Sequence, residues 1–262
     1  MSNDPRSMTG IATMSWRMAW RAIARMPLLF STGFAAILMI ELGSRMAGFE
    51  QWQTPPSSRL LLLGSLASIG SALVMASILI AVHRFILVGE ATDRAVWKIP
   101  QGYRRFVGWK LLLALLLLLP VLVVVSINWK SPMVAGLLMS PIFAAMAVFG
   151  IRLLLLFPAI AVGTPFAAWR NALRDSRGHF WRLFGTILLA GLPFFVVSIT
   201  SMLLLRFGFL GTWPGEPFLP SLGSALVNVS QACIDAAVAS RFFQIYANAL
   251  AGLAGSMAPA TS

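Results

Sequence analysis

The sequence is poor in charged residues, and poorest in acids, histidine and cysteine. Only 11% of its residues are charged, eight are Asp or Glu, two are His and one is Cys. The single cysteine, Cys233, excludes an intrachain disulfide. So few potential ligands form no cluster with the spacing of a metal site. We therefore expect no metal and no other cofactor.

Sequence motifs of catalysis are also missing. There is no Gly-x-Ser-x-Gly nucleophile elbow, no glycine-rich phosphate loop and no dinucleotide-binding fingerprint. An enzyme would need at least two titratable partners in one cavity, and the scarcity of acids and histidines argues against that. The sequence therefore predicts a protein that is not an enzyme.

Apolar residues make up most of the chain. They account for 58% of the 262 residues, and the mean hydropathy of +0.83 is far above that of soluble domains. The formal net charge of +12 would by itself suggest a nucleic-acid partner. However, Lys and Arg lie in short segments between apolar runs and form no single basic face. The composition predicts an integral membrane protein with no nucleic-acid partner.

Six apolar runs are long enough to cross a bilayer, whose hydrocarbon core of about 30 Å needs roughly 20 helical residues. We expect an all-α polytopic transmembrane bundle that forms one membrane domain over residues 1–262. The run 153–163 is too short and contains Pro158, so we interpret it as the fourth helix continuing onto the inner surface. The predicted spans cover residues 27–48, 60–82, 111–129, 132–151, 183–205 and 219–240.

The distribution of positive charge predicts the orientation. With these six spans, sixteen Lys and Arg residues fall on one side and four on the other, which accounts for all 20. Cytoplasmic segments retain positive charge during insertion, so both termini should lie in the cytoplasm. The two histidines, His83 and His179, are expected at this inner surface. The first span ends without a cleavage site and is expected to be a retained signal-anchor.

Tryptophan spacing suggests an internal repeat. Trp97 and Trp109 are twelve residues apart, as are Trp169 and Trp181. We predict three tandem helical hairpins, each preceded by a basic, Trp-bearing inner segment. Ordinary interface chemistry also places Trp and Arg at such positions, but it does not explain the shared spacing. Small residues four apart in the even-numbered spans further suggest that those spans form an inner bundle.

The segment 164–182 reads as an amphipathic helix on the inner surface. Thr164 is a suitable cap, Pro165 suits the first helical position and Gly178 is a natural stop. Cations and aromatic residues together are typical of a helix on an anionic leaflet, and the N-terminal stretch has the same pattern. The alternative is that these cations only set the topology. The lipid-surface candidates are Arg170, Arg174, Arg177, Trp169 and Trp181.

A few polar residues fall inside the spans. Asp235 shares a helix face with Asn228 and Gln231, and an intramembrane carboxylate is a functional candidate by default. The alternative is a structural hydrogen bond or an ion pair with Arg152 or Arg84. Glu41 is a weaker candidate, since an arginine one turn away, at position 45, can pair with it.

Two stretches resemble an uncharacterised bacterial inner-membrane family. They are Val82 to Glu90 and the run from Ile151 to Arg182, which includes Phe157-Pro158-Ala159-Ile160. That family is similar to the membrane domain that some glycerophosphoryl diester phosphodiesterases carry ahead of their catalytic domain. The resemblance implies a multispan accessory module without phosphodiesterase activity. This sequence has Gly163 where the family usually has an acid.

Two classes of function remain open. The first is a non-catalytic accessory or scaffold protein of the bacterial inner membrane, whose partners are the bilayer with its anionic headgroups, other proteins or further copies of the chain. The alternative is a transporter or lipid-handling protein that uses Asp235. Fold class alone does not decide between them.

Overall fold

The chain folds into a bundle of α-helices in a computed structural model, which describes residues 7–47, 58–100, 102–127, 132–206 and 218–251. These residues form nine helices and no strand, which confirms the predicted all-α class. The helices are α1 Met8–Arg25, α2 Pro27–Met46, α3 Ser58–Val88, α4 Tyr103–Ile127, α5 Pro132–Leu153, α6 Leu156–Ala161, α7 Trp169–Asp175, α8 Phe180–Arg206 and α9 Phe218–Tyr246.

Five candidate membrane spans are long and apolar enough to cross a bilayer. They lie in α2, α3, the α5–α6 region, α8 and α9. The remaining predicted span, 111–129, falls on α4, and its last two residues lie outside the described part of the chain. The number six therefore stays a prediction. Both helices of each predicted hairpin contact each other, namely α2 with α3, α4 with α5, and α8 with α9.

The break between α1 and α2 is determined by local chemistry. Pro27 occupies the first position of α2, where its missing N–H costs nothing. The next two backbone amides, of Leu28 and Leu29, donate to Oδ1 of Asp93 at 2.8 and 3.2 Å. A side chain 64 residues away thus caps α2 and attaches the segment after α3 to the start of α2.

The centre of the bundle is formed by α2, α3 and α9, which pack against one another. The helices α2 and α3 come close at Gly33, where a Cβ atom would lie only 2.6 Å from Cδ1 of the buried Ile78. Along α9 the buried face includes Ala225, Val229 and Cys233. These small side chains allow the backbones to approach closely.

The predicted inner bundle of even-numbered spans is wrong. The fourth span, α5, lies at the outside of the bundle, and Ala144 of its small-residue stripe is exposed. The first span, α2, instead packs on both α3 and α9. Small residues permit close packing but do not require it, and they carry no information on which neighbour is present.

The run 153–163 is not a surface continuation of the fourth span. The chain turns after Leu153, and α6 follows as a separate short helix whose six residues are all buried. It packs against α3, α4 and α9. Its composition explains this position, since Leu156, Phe157 and Ile160 offer no polar face to a surface.

The predicted helix over 164–182 is also much shorter in the structure. The hydroxyl and amide of Thr164 both bond back to the carbonyl of Ala159, and Asn171 donates its side-chain amide to the carbonyl of Phe166 at 2.9 Å. These local bonds hold residues 164–168 in a non-helical conformation, and α7 is the helical part of the segment before α8 begins at Phe180. Gly178 does end the segment, with a left-handed φ of 81°.

Candidate functional site

One end of the bundle is held together by arginines. This end, where α3 and α9 finish and α8 begins, carries Arg84, Arg152, Arg182 and Arg241, and we call it the basic end. Two of its contacts connect distant segments: Arg84 donates to the carbonyl of Ala161 at 3.2 Å, and Arg182 donates to the hydroxyl of Tyr246 at 2.8 Å. Each arginine can satisfy several acceptors at once, so these side chains join the helix ends.

Arg84 also forms an ion pair with Glu90 in the segment after α3. Its Nε and Nη2 atoms lie 2.8 and 2.5 Å from the same carboxylate oxygen. The hydrogen bond with Arg84 is the main reason why the pKa of Glu90 is lowered from its usual value. The pair lies at the surface of the basic end.

The five predicted lipid-surface residues are all exposed at the basic end. Arg170, Arg174 and Arg177 are exposed, and the exposed fractions of Trp169 and Trp181 are 41% and 76%. The guanidinium carbon of Arg170 lies 5.4 Å from the centroid of the Trp169 ring. These cations and rings form one outward surface over residues 169–181, which we call the α7 surface.

The underside of the α7 surface is anchored to the bundle. Asp175 accepts backbone hydrogen bonds from Ala249 and Leu250 at 3.0 and 2.9 Å. From α5, Arg152 donates to the carbonyl of Leu173 at 2.7 Å. Because one side of α7 is attached in this way, its arginines are held on the opposite, exposed side.

The N-terminal helix α1 is amphipathic as predicted, and part of its apolar face packs on protein. It packs on α8 and α9. The indole of Trp16 stacks on Phe194 with ring centroids 5.3 Å apart, and its N–H donates to the carbonyl of Ala190 at 3.1 Å. The cations of the N-terminal stretch are exposed, namely Arg17, Arg21 and Arg25. Trp16 of the apolar face therefore contacts protein, whereas Trp20 is exposed, and contact of α1 with lipid stays a prediction.

The predicted intramembrane polar residues do not form one site. Asn228 donates its side-chain amide to Glu41 at 3.1 Å, which links α9 to α2. Gln231 is exposed. Asp235 interacts with neither of them. Asn228 therefore reaches the carboxylate of Glu41 from the facing helix, and the pairing of Glu41 with the arginine one turn along stays a prediction.

The charge that faces Asp235 is Lys110 of α4. The two side chains interact electrostatically, although Oδ1 of Asp235 makes no hydrogen bond to Lys110. Oδ1 of Asp235 is buried and has no hydrogen-bond partner among the described residues. The predicted partners Arg152 and Arg84 are engaged elsewhere, with Leu173 and Glu90.

His83 is a second buried polar group whose position the sequence did not reveal. The predicted surface location is wrong, since only 2% of the residue is exposed, and its Nδ1 atom lies 2.8 Å from Oγ of Ser240 on α9. Its ring also packs near Phe106 of α4, with centroids 6.1 Å apart. The sequence signal for Lys110 is ambiguous. Lys110 stands immediately before an uninterrupted apolar run, where a cation at the headgroups and a cation inside the bundle give the same pattern.

Within the described ranges no three His, Cys, Asp or Glu side chains come together as a metal site would require. The helices and their apolar outer faces define a multi-pass membrane protein. No protein-family model, curated protein or solved structure matches the chain.

Proposed function

We propose that this chain is a non-catalytic accessory or scaffold protein of a bacterial inner membrane. In this proposal it has six spans and both termini in the cytoplasm, and its basic end faces the cytoplasm and binds anionic lipid headgroups. The resemblance to the membrane domain of glycerophosphoryl diester phosphodiesterases is part of the proposal. Its other partners would be proteins or further copies of the chain.

The observation that carries this proposal is the α7 surface. Three exposed arginines and two exposed tryptophans lie together on a segment whose other side is anchored. Exposed Arg residues attract anionic headgroups, and indole rings prefer the boundary between hydrocarbon and water. A surface of this kind can bind anionic lipid headgroups or an acidic partner, and it needs no catalytic group to do so.

Lipid selectivity tests the proposal. The full chain is reconstituted in phosphatidylcholine bilayers, and electron paramagnetic resonance measures the association of spin-labelled phosphatidylglycerol relative to spin-labelled phosphatidylcholine. The variant with Arg170, Arg174 and Arg177 all changed to Gln should lose most of the preference, since each cation near the surface contributes about 1 kcal/mol.

The matched control changes the same three residues to Lys, which preserves the charge. This variant should keep the preference, and added salt should weaken it for both the control and the wild type because exposed charges are screened. Equal selectivity in the Gln and Lys variants would contradict a role of the α7 surface in headgroup binding.

Orientation is tested separately by cysteine labelling in intact cells. Single cysteines at Lys98 and Arg174, both exposed, should react with an impermeant thiol reagent only after permeabilisation. Cysteines at Ser57 and Ser131, which lie outside the described residues, should react from outside. Labelling of position 174 in intact cells would refute the cytoplasmic placement of the basic end.

A transporter or lipid-handling protein that uses Asp235 is the second candidate. The buried Oδ1 atom, which has no hydrogen-bond partner in the described part of the chain, favours it, because an intramembrane carboxylate of this kind often marks a path for ions or protons. In that case Asp235→Asn would abolish a proton or cation flux through reconstituted vesicles and leave the melting temperature unchanged. Absence of any such flux in the wild type would dismiss this candidate.

A further inference from the structure

An apolar groove opens beside α1, between that helix, α8 and α9. Its volume is about 300 Å³, at the lower end of the range for small-molecule sites. Side chains from all three helices line it, including Trp16 and Trp20 of α1, Phe194 and Val197 of α8, and Leu226 of α9. Ser230 is the one polar side chain among the lining residues.

The rim of the groove is exposed and apolar. Val197 is 50% exposed at its rim, and Leu226 and Trp20 are 59% and 58% exposed. A second exposed apolar face, on the other side of α8, includes Leu192 and Phe195. A span with such a face lies against hydrocarbon, so the molecules that reach the groove are lipid chains rather than water-soluble ligands.

Cations lie next to this groove on the neighbouring face of α1. Arg17 precedes Trp20 by three residues and Arg21 by four, so the three side chains are neighbours on the helix surface. Both arginines are exposed. Arg21 also lines a second cavity of about 430 Å³ with Arg25, Phe85 and Gly89. The apolar groove is therefore bordered by a positively charged rim.

We propose that this groove is a binding site for one acyl chain of an anionic phospholipid, whose phosphate binds to Arg17 and Arg21. The apolar walls select the chain, and the rim selects the charge of the headgroup. Stacking of Trp16 on Phe194, together with its hydrogen bond to Ala190, keeps one wall of the groove in place. The site rests on the proposed lipid-binding function but uses residues outside the α7 surface.

Native mass spectrometry of the full chain in detergent tests the site. Long-chain phosphatidylglycerol is titrated against phosphatidylcholine with the same chains, and retained adducts are counted. Val197→Phe should fill the groove and lower phosphatidylglycerol retention about tenfold, the effect of displacing two methylenes from an apolar site. Leu226→Phe should act in the same direction from the opposite rim.

Val196→Phe is the matched control. Val196 is the adjacent residue on α8 and is 55% exposed, but it does not line the groove. This variant should retain phosphatidylglycerol like the wild type, and equal melting temperatures would show that both variants fold. Wild-type retention in Val197→Phe and Leu226→Phe would overturn the proposal.

Two further measurements distinguish binding of the acyl chain from binding of the headgroup. Glycerol 3-phosphate, which has no acyl chain, should not displace phosphatidylglycerol, and displacement by it would overturn the role of the groove. The double variant Arg17→Gln/Arg21→Gln should retain phosphatidylglycerol no better than phosphatidylcholine. Unchanged preference in that variant would overturn the role of the rim.

Failure of this site and failure of the proposed function are distinguishable. The variant with Gln at 170, 174 and 177 should lose bilayer selectivity but keep the adduct in detergent. Val197→Phe should show the reverse pattern. Loss of both properties in either variant would overturn the assignment of two separate sites.

Discussion

The imidazole Nδ1 atom of His83 and the hydroxyl oxygen of Ser240 are 2.8 Å apart, and both residues are buried. This hydrogen bond joins α3 to α9 one residue before each helix presents an arginine, Arg84 and Arg241, to the basic end. Two central helices are therefore held in register where the apolar part of the bundle meets its charged part.

Removal of this hydrogen bond should destabilise the bundle modestly. Ser240→Ala leaves Nδ1 of His83 without its partner, and bonds between membrane helices contribute about 0.6 kcal/mol on average and at most about 1.7 kcal/mol. The melting temperature in detergent should fall by a few degrees. Ser68→Ala is the control, because Ser68 lies on α3, the helix that carries His83, and is exposed. A larger loss in the control would contradict the assignment.

The sequence predicted the helices well because long apolar runs are determined by the thickness of the bilayer and need no partner. For example, the predicted span 132–151 corresponds to Pro132–Leu153, and 219–240 lies within Phe218–Tyr246. The positions of Gly178 as a stop and of the arginines on the α7 surface also followed from local rules.

The contacts between helices could not be predicted in the same way. A carboxylate inside an apolar run indicates that Asp235 needs a polar partner, but the sequence does not show which residue that partner is. The charge that faces it, Lys110, is 125 residues away in sequence. Likewise, the exposed Ala144 and the buried Ala225 are both small residues in apolar helices. Small residues indicate where a close contact between helices is possible, whereas the packing of the whole bundle determines which helix is the neighbour.

Two glycines of α2 should respond very differently to a larger side chain. At Gly33 an added Cβ would lie 2.6 Å from Cδ1 and 3.2 Å from Cγ1 of Ile78, whereas no described residue has an atom within 4 Å of the corresponding position at Gly43. We expect Gly33→Leu to destabilise the protein by about 1–3 kcal/mol or more through overpacking. Gly43→Leu should be nearly neutral.

Thermal unfolding of both glycine variants in one detergent provides the comparison. Because the two substitutions are identical and lie on the same helix, differences in helix propensity largely cancel. If Gly43→Leu proves the more harmful, then α2 does not approach α3 at Gly33.

The ion pair between Arg84 and Glu90 should make stability depend on pH. The pKa of Glu90 is lowered in the folded protein, so its contribution is fully present above the ordinary glutamate pKa of about 4.3. It is lost as the pH falls through the lower folded-state pKa. The melting temperature of the wild type should therefore exceed that of Glu90→Gln at neutral pH, by a small margin because Glu90 is exposed.

The difference in melting temperature between the wild type and Glu90→Gln should disappear in acid, since a protonated Glu90 is uncharged, like the glutamine that replaces it. The control is Arg84→Gln, which removes the other partner and should likewise abolish the pH-dependent part of the difference. A margin that stays constant from neutral pH down to about 3 would show that Glu90 contributes through packing alone.

Asp235 and Lys110 should be energetically coupled, although Oδ1 of Asp235 makes no hydrogen bond to Lys110. Asp235→Leu removes the facing charge and leaves Lys110 uncompensated within the bundle, which we expect to cost about 1–3 kcal/mol. Asp235→Asn preserves the shape of the side chain and one acceptor oxygen, so it should cost less. The double variant Asp235→Leu/Lys110→Met removes both charges and should recover part of the loss.

A double-mutant cycle measures this coupling from four melting curves, with Lys110→Met as the second single variant. Contacting or electrostatically linked residues give coupling energies of about 0.5–3 kcal/mol, whereas independent sites add within about 0.5 kcal/mol. Strict additivity would mean that the two charges do not act on each other. If Asp235→Leu is as stable as the wild type, Oδ1 is not buried within the bundle, and the transporter candidate loses the observation that favours it. A structural role requires that Asp235→Leu be the least stable of the Asn, Leu and double variants, because it leaves the Lys110 charge with neither a carboxylate nor an amide oxygen to face it.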